Sequence, residues 1–190
     1  MSYPRCSPRF DGSFLQFRCD EKGFLGICAL GLPGHTHEDD PSRGIQAALD
    51  LRQRVKARGH RTCIGVTTGR LLCTCVGARK IRSEYTVRHG LGKSIFPRCC
   101  CLFCYLVIYS VMSLILLPVS FQVFGDAINL SARLMVKCKK GAAEILCDEP
   151  THLHAKYRAK YTALEPMQLK VGRRTNSFRL LPAGFRFTSR

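Results

Sequence analysis

Hydrophobic positions near the start of the chain form one continuous run and then one helical pattern. The run "FLGICALGL" (24–32) ends at Pro33-Gly34 and is typical of a short buried strand. The segment "PSRGIQAALDLRQRVKARG" (41–59) carries arginines and a lysine on one face, and Gly59 would end it. Its apolar face has helical spacing and consists of Ile45, Ala48, Leu49 and Val55. The pattern therefore predicts a strand followed by an amphipathic helix.

The middle of the chain is rich in β-branched and apolar residues. In "RTCIGVTTGRLLCTCVG" (61–77) two such runs are separated by "TTGR", which predicts a β-hairpin. "SEYTV" (83–87) predicts one more short strand.

A second helix is predicted at "DAINLSARLMVKCKKG" (126–141). Asp126 suits its N-cap and Gly141 its C-terminal end, where Lys137, Lys139 and Lys140 suit the negative end of the helix dipole. After it, "AAEILC" predicts a strand and "DEPTHLHAK" a short helix. The segments "YTALEPMQLKV" and "NSFRLL" predict closing strands.

These elements predict an α+β fold of the ferredoxin-like kind, with helices on one face of a mainly antiparallel sheet. With 88–123 set aside, their order is β-α-β-β-(β)-α-β-α-β-β. The predicted domain spans 14–87 and 124–182. Residues 1–13, rich in Pro, Ser and Arg, are expected to be disordered, and 183–190 form a tail.

The segment 88–123 is a hydrophobic insertion between a predicted strand and a predicted helix. The run 99–121 contains 23 residues without a charge, about the length that crosses a bilayer as a helix, and Arg88, Lys93 and Arg98 precede it. A membrane span here would, however, place the strand and the helix on opposite sides of the bilayer.

Omission of the 36 residues 88–123 joins the strand to the helix without a gap. The segment is rich in residues with pyrimidine-rich codons, and its uncharged run is followed by Gln122, whose codon can be CAG. We interpret 88–123 as translated intron sequence or an unverified gene-model segment. A transmembrane insertion and a tolerated soluble loop are the alternatives.

The charge of the chain favours anionic partners. Lys and Arg number 30 against 13 acidic residues, a net charge of +17. The absence of Trp, and of any Lys/Arg run interleaved with aromatic residues, argues against a nucleic-acid partner.

The cysteines and the N-terminus favour a reduced, cytoplasmic protein. Cys28, Cys63, Cys73, Cys75 and Cys147 stand singly in apolar runs, where a thiol behaves as a small hydrophobe. The opening "MSYPRCSPRFDGSF" has no apolar signal-peptide region. Membrane association through 99–121 is the alternative.

Two histidine pairs raise the question of a metal site. His35 with His37, and His152 with His154, have no Cys or third His at ligand spacing. No metal site is therefore predicted.

The stretches "FRCDEKGFLGICALGLPG", "IGVTTGRLLCTCVG", "SEYTV" and "GDAINLSARLM" together resemble the catalytic domain of class III nucleotide cyclases. More narrowly, they look like the second catalytic half of the soluble, bicarbonate-responsive adenylyl cyclases. The resemblance covers residue 15 to about 182, less the insertion. It implies a pair of pseudo-symmetric halves that hold ATP and Mg²⁺ between them and convert ATP to cyclic AMP and pyrophosphate.

The resemblance also implies roles for three residues. Asn129 would orient the ribose and Arg133 would meet charge that builds on the phosphate. Their i and i+4 spacing puts both on one face of a helix. Thr86 would face the adenine edge, but only if Val87 is joined directly to Phe124. With the insertion present, Gln122 occupies that place in the sequence.

The sequence departs from the family at its metal-binding positions. Phe24, after Gly23, stands where the second metal-binding Asp is expected, and the strand of the first would precede this chain. Phe cannot ligate Mg²⁺, which takes oxygen ligands. The resemblance therefore implies that ATP and Mg²⁺ are held with a second, metal-bearing half.

Two functions follow from the resemblance and its departures. In the first, the chain is an adenylate cyclase half-domain that contributes ribose and phosphate contacts to a metal-bearing half. In the second, it is a catalytically inactive, truncated cyclase-like module that acts only in binding or not at all. Whether the chain alone is an enzyme stays open at this point.

Overall fold

The computed structural model describes residues 5–7, 9–20, 23–32, 35–78, 82–88, 95–107, 122–124, 126–140, 145–168 and 174–181. Within them the fold is mixed α+β, as predicted. The helices are α1 (Asp40–Lys56), α2 (Asp126–Lys140) and α3 (Glu149–Ala155). The strands are β1 (Arg5–Ser7), β2 (Gly12–Asp20), β3 (Gly23–Leu30), β4 (Arg61–Ala78), β5 (Arg82–Arg88), β6 (Ile95–Val107), β7 (Gln122–Phe124), β8 (Ile145–Asp148), β9 (Lys160–Gln168) and β10 (Arg174–Leu181).

The described strands form one sheet in the order β1-β2-β3-β6-β4-β8-β10-β9, while β5 pairs with β4 and β7 pairs with β5. The pairings are antiparallel except for β4 with β8 and β5 with β7. Because β6 is antiparallel to both of its neighbours, β3 and β4 run in the same direction. The unit β3–α1–β4 is therefore a split β-α-β unit with one strand between its two strands.

One face of the sheet carries α1 and α3. Alternate residues of a strand point to opposite faces, so Ile64 and Val66 of β4 share this face. They pack with Ile145 and Cys147 of β8 in the larger core cluster. Its other buried members are Phe10, Cys28, Leu30, Ile45, Ala47, Ala48, Ala155 and Leu180.

The opposite face of the sheet carries α2, which corrects the prediction that the helices share one face. Leu134 and Cys138 of α2 pack against Leu146, the β8 residue between Ile145 and Cys147. Because β8 is buried on both faces, helices have to pack against each face of the sheet.

The predicted hairpin at "TTGR" is wrong, because β4 continues through it. Residues from Arg61 to Leu72 pair with β6, and residues from Leu72 to Ala78 pair with β5. The ladder with β6 shifts register between Gly69 and Leu71. A glycine inside a strand commonly marks such an irregularity, which bends the strand without reversing the chain.

The N-terminal segment also differs from the prediction of disorder over 1–13. Arg5–Ser7 pair with the beginning of β2, and Phe10 in the turn between them is only 4% exposed. Burial of this aromatic side chain in the larger core cluster explains why the segment is ordered. Residues 183–190 lie outside the described residues.

Part of the predicted insertion lies inside the sheet. Strand β6 pairs with β3 from Cys100 to Leu106 and with β4 from Ile95 to Val107. Pro97, which has no N–H, lies beyond the end of β3 and beside the irregular part of β4, where a missing donor is tolerated. The boundaries 14–87 and 124–182 themselves remain predictions.

The membrane alternative for 99–121 falls partly on described residues. Cys99–Val107 belong to strand β6 rather than to a helix, and 108–121 lie outside the description. Of the helices that the structure describes, none is both long and apolar enough to cross a membrane.

Strands β5 and β7, which flank 89–121 in the sequence, lie side by side in the sheet. Val87 of β5 pairs with Val123 of β7, between the pairs Thr86 with Gln122 and Arg88 with Phe124. Strand β7 therefore starts next to the point where β5 ends, and α2 follows directly after it.

Candidate functional site

The amphipathic pattern of α2 determines which of its residues face outward. Its buried side recurs at helical spacing and consists of Ala127, Ile128, Ser131, Leu134, Met135 and Cys138. The opposite side contains Asn129, Arg133, Val136 and Lys137, of which Val136 is 44% exposed.

Close contact with β4 holds α2 in place. A Cβ atom at Gly65 would overlap the carbonyl oxygen of Ser131 and lie 2.9 Å from the backbone nitrogen of Met135. Two residues along the same face, the Thr67 hydroxyl donates to the Ala127 carbonyl at 2.8 Å. Gly65 therefore permits a backbone approach that no other residue would allow.

A third contact fixes the far end of the same helix. The Cys138 thiol donates to the Ile64 carbonyl at 3.4 Å, and burial raises the pKa of Cys138 to about 12. Burial likewise raises the pKa of Cys147 above its usual range. These protonated thiols are poor nucleophiles, so their contribution is packing rather than chemistry.

The structure brings Asn129 and Arg133 together on the outward face of α2, as their spacing predicts. Asn129 is exposed and Arg133 is half-buried. No hydrogen bond or ion pair holds either side chain to another residue that the structure describes in full. An amide and a guanidinium therefore lie about one helical turn apart on the outward side of α2.

Thr86, the third residue assigned by resemblance, lies in β5 between Thr74 of β4 and Gln122 of β7. Its backbone is described and its side chain is not. Gln122, which takes the same place in the sequence when the insertion is counted, is therefore the lateral neighbour of Thr86. The adenine-facing role of Thr86 stays a prediction.

Sequence reasoning missed the contacts of Lys137, which it assigned to the end of the helix dipole. The Lys137 ammonium donates to the Glu165 carbonyl at 3.1 Å and to the Ser177 hydroxyl at 3.2 Å. Local spacing along the helix carried no signal for these contacts, because both partners lie in a hairpin distant in the sequence.

An irregularity between β9 and β10 exposes the carbonyl that Lys137 contacts. Ser177 pairs with Leu164 and Thr175 with Met167, so two residues, Glu165 and Pro166, lie opposite one. Such a bulge leaves backbone groups outside the ladder. The ammonium group satisfies one of them and ties α2 to this hairpin.

The described residues do not fit a magnesium site. Phe24, which stands where the resemblance implies a metal-binding Asp, is half-buried in β3. Among the described residues, no cluster of three or more His, Cys, Asp or Glu side chains has the arrangement to hold a metal ion.

The first histidine pair contacts carboxylates near the start of α1. His35 Nδ1 lies 3.1 Å from Asp11 Oδ2, and His37 lies between Asp11, at 3.9 Å, and Asp40, at 3.4 Å. The backbone N–H of His37 donates to Asp40 Oδ2 at 2.8 Å. Burial raises the pKa of Asp40, whose side chain is 1% exposed. These contacts join the β1–β2 turn to α1.

The second histidine pair likewise makes contacts that join elements of the fold. The His152 ring stacks on Phe178 at 4.0 Å and meets Tyr161 edge-on at 4.7 Å. The backbone carbonyl of His154 accepts a hydrogen bond from the Ser42 hydroxyl at 3.2 Å, which links α3 to α1.

A buried carboxyl group, Asp148, lies between β8 and α3. It caps α3 by accepting hydrogen bonds from the backbone N–H of Thr151 at 3.1 Å and from the Thr151 hydroxyl at 2.5 Å. The N–H of Thr68 faces both carboxyl oxygens at 3.4 Å. Burial outweighs these hydrogen bonds and raises the pKa of Asp148 to about 6.

No protein-family model matches the chain, and no curated protein sequence matches it. The arrangement of α2 and the residues that carry the resemblance are therefore what point to a function.

Proposed function

We propose that the chain is an adenylate cyclase-like catalytic half-domain of ferredoxin-like fold, which contributes ribose and phosphate contacts to the conversion of ATP to cyclic AMP. The observation that carries the proposal is the pair Asn129 and Arg133, which face outward from a closely docked helix without described partners. The sequence motifs that carry the resemblance support the same assignment.

The chemistry suits the two side chains. In phosphoryl transfer the protein mainly positions the reactants and stabilises charge. The Asn129 amide can hydrogen-bond a ribose hydroxyl and so orient the 3′-oxygen towards the α-phosphate. The Arg133 guanidinium presents planar, permanently charged donors to phosphate oxygens as pyrophosphate leaves. In this proposal Thr86 faces the adenine edge only in a chain in which Val87 is joined directly to Phe124; with 88–123 present, Gln122 takes that place in the sequence.

A second half has to supply the metal. Mg²⁺ takes carboxylate oxygens, and the described part of this chain offers no cluster of three or more His, Cys, Asp or Glu side chains that could hold it. We therefore assign the metal ligands to a partner half. We place this chain and its partner half in the cytoplasm. The buried, protonated thiols of Cys138 and Cys147 fit the reducing conditions there.

The second candidate is a cyclase-like module that binds nucleotide or a partner without turnover. Phe24, in place of a carboxylate, is the observation that favours it. The two candidates share the α2 site and differ only in whether a metal-bearing half completes it.

Cyclic AMP production by a mixture of the purified chain and a metal-bearing cyclase half tests the proposal. We expect activity that Arg133→Ala lowers on the order of 10²–10³-fold, because one charged donor to the transition state is lost. Val136→Ala, an exposed change on the same helix, is the matched control and should leave activity unchanged. Absence of cyclic AMP at every partner concentration would favour the non-catalytic module.

A further inference from the structure

Three polar side chains follow one another along the outward face of α2. Asn129, Arg133 and Lys137 stand at i, i+4 and i+8, so each is slightly more than one turn, roughly 6 Å along the axis, from the next. The row passes from a neutral amide to a guanidinium and then to an ammonium group.

Lys137 is held in place but keeps its charge. Its described hydrogen-bond partners, the Glu165 carbonyl and the Ser177 hydroxyl, are both neutral. An ammonium group has three N–H donors, so one remains for a ligand. No carboxylate that the structure describes lies within ion-pair distance of Lys137 or Arg133. Two neighbouring cations of this kind repel each other and attract a polyanion.

We propose that Lys137 binds the β- and γ-phosphates of a nucleoside triphosphate and so makes the α2 site selective for the triphosphate. This inference rests on the proposed function, which places the ribose at Asn129 and the α-phosphate at Arg133. A triphosphate chain that runs along α2 towards its C-terminal end would place its terminal groups about one helical turn beyond the α-phosphate, near Lys137. A lysine that is already immobilised loses little side-chain entropy when the ligand arrives.

The contacts with Glu165 and Ser177 suggest a competing role for Lys137, in which it only ties α2 to the β9–β10 hairpin. In that role its loss would disturb α2 as a whole and weaken every nucleotide equally. Direct binding of the terminal phosphates predicts a loss that depends on how many phosphates the nucleotide has.

Titration calorimetry of the full chain with ATP, ADP and AMP, without added divalent metal, separates these roles. We expect Lys137→Ala to weaken ATP binding about 10-fold and ADP less, and to leave AMP unchanged, because one charge-assisted contact is lost. Arg133→Ala should weaken all three nucleotides. Lys137→Arg should retain the preference for ATP, and Ser177→Ala, which removes one anchor only, should retain it as well.

Equal losses for ATP and AMP in Lys137→Ala would show a purely structural role and overturn the inference. A wild-type chain without preference for ATP over AMP would overturn it too. Failure of the proposed function has a different readout. A chain that keeps the Lys137-dependent preference for ATP but makes no cyclic AMP with a metal-bearing half is a nucleotide-binding module.

Discussion

The buried carboxyl group of Asp148 caps α3 and makes the stability of the fold depend on pH. Its side chain caps α3 through Thr151, and its burial raises its pKa to about 6 from the ordinary value of 3.8. The folded protein therefore holds this proton over a pH range in which the unfolded chain has already lost it. The contribution to stability is complete below about pH 4 and is lost as the pH rises through about 6.

Asp148→Asn should flatten this pH dependence. Asparagine keeps an acceptor for the cap but cannot ionise, so we expect the variant to match or exceed wild-type stability at pH 7.5. The difference between pH 4 and pH 7 should shrink by roughly 3 kcal/mol at most. Urea unfolding across this range measures it. Glu149→Gln, the adjacent exposed carboxylate, is the control, and parallel curves for Asp148→Asn and wild type would contradict the prediction.

At the residue scale the sequence predicts side chains whose placement depends on local spacing alone. Asn129 and Arg133 share a face because they are four residues apart on a helix. The contacts of Lys137 were not predictable in the same way, because they depend on a bulge opposite Asn176 in a distant hairpin. Asp148 is similar, since its pKa reflects burial by the whole sheet rather than its neighbours in sequence.

The position of one element, α2, depends on two glycines of β4. Gly65 lies against the helix backbone, whereas among the fully described residues a Cβ atom at Gly69 would meet the Ala127 methyl group, at 3.1 Å. An added methyl group is therefore accommodated more easily at Gly69 than at Gly65.

Gly65→Ala should displace α2 and weaken nucleotide binding, since the added methyl group overlaps helix backbone that cannot rotate away. We expect a loss of unfolding free energy of about 3 kcal/mol or more. Gly69→Ala is the matched control, with a smaller loss because a small shift of Ala127 relieves the contact. Urea unfolding and ATP titration of both variants measure the effects. Equal stabilities of the two variants would be inconsistent with the close docking of α2.

The elements that the sequence predicted best are those with an unambiguous period. Helices α1, α2 and α3 and the closing strands lie where their patterns place them. The hairpin at "TTGR" was wrong because a glycine can mark either a turn or an irregular strand. The face that α2 covers was wrong because the period of a helix shows which side is buried but not against which face of a sheet.

At the scale of the whole molecule, β6 links the two parts of the sheet. Without it, β3 and β4 would face each other across two strand spacings, roughly 10 Å, with unpaired backbone groups along both edges. The sequence could not show this, since the apolar run that contains β6 is equally compatible with a strand, a membrane helix or non-coding sequence. The interpretation of 88–123 as translated intron therefore predicts a shorter chain with an incomplete sheet.

A chain in which Val87 is joined to Phe124 should be less stable than the full chain and should self-associate through the edges of β3 and β4. Analytical ultracentrifugation measures the association, and hydrogen exchange measures the loss of protection in these strands. Replacement of 108–121 by a glycine-serine linker leaves β6 in the chain and serves as the control. A monomeric deletion variant with the unfolding free energy of the full chain would show that β6 is dispensable.

The short parallel pair of β5 and β7 has a consequence for how the chain tolerates change. Three rungs, from Thr86–Gln122 to Arg88–Phe124, fix the start of α2 against β5. The number of residues between β5 and β7 in the sequence does not affect this attachment. Segments of very different length between β6 and β7 could therefore be exchanged while the first turn of α2 stays anchored to β5.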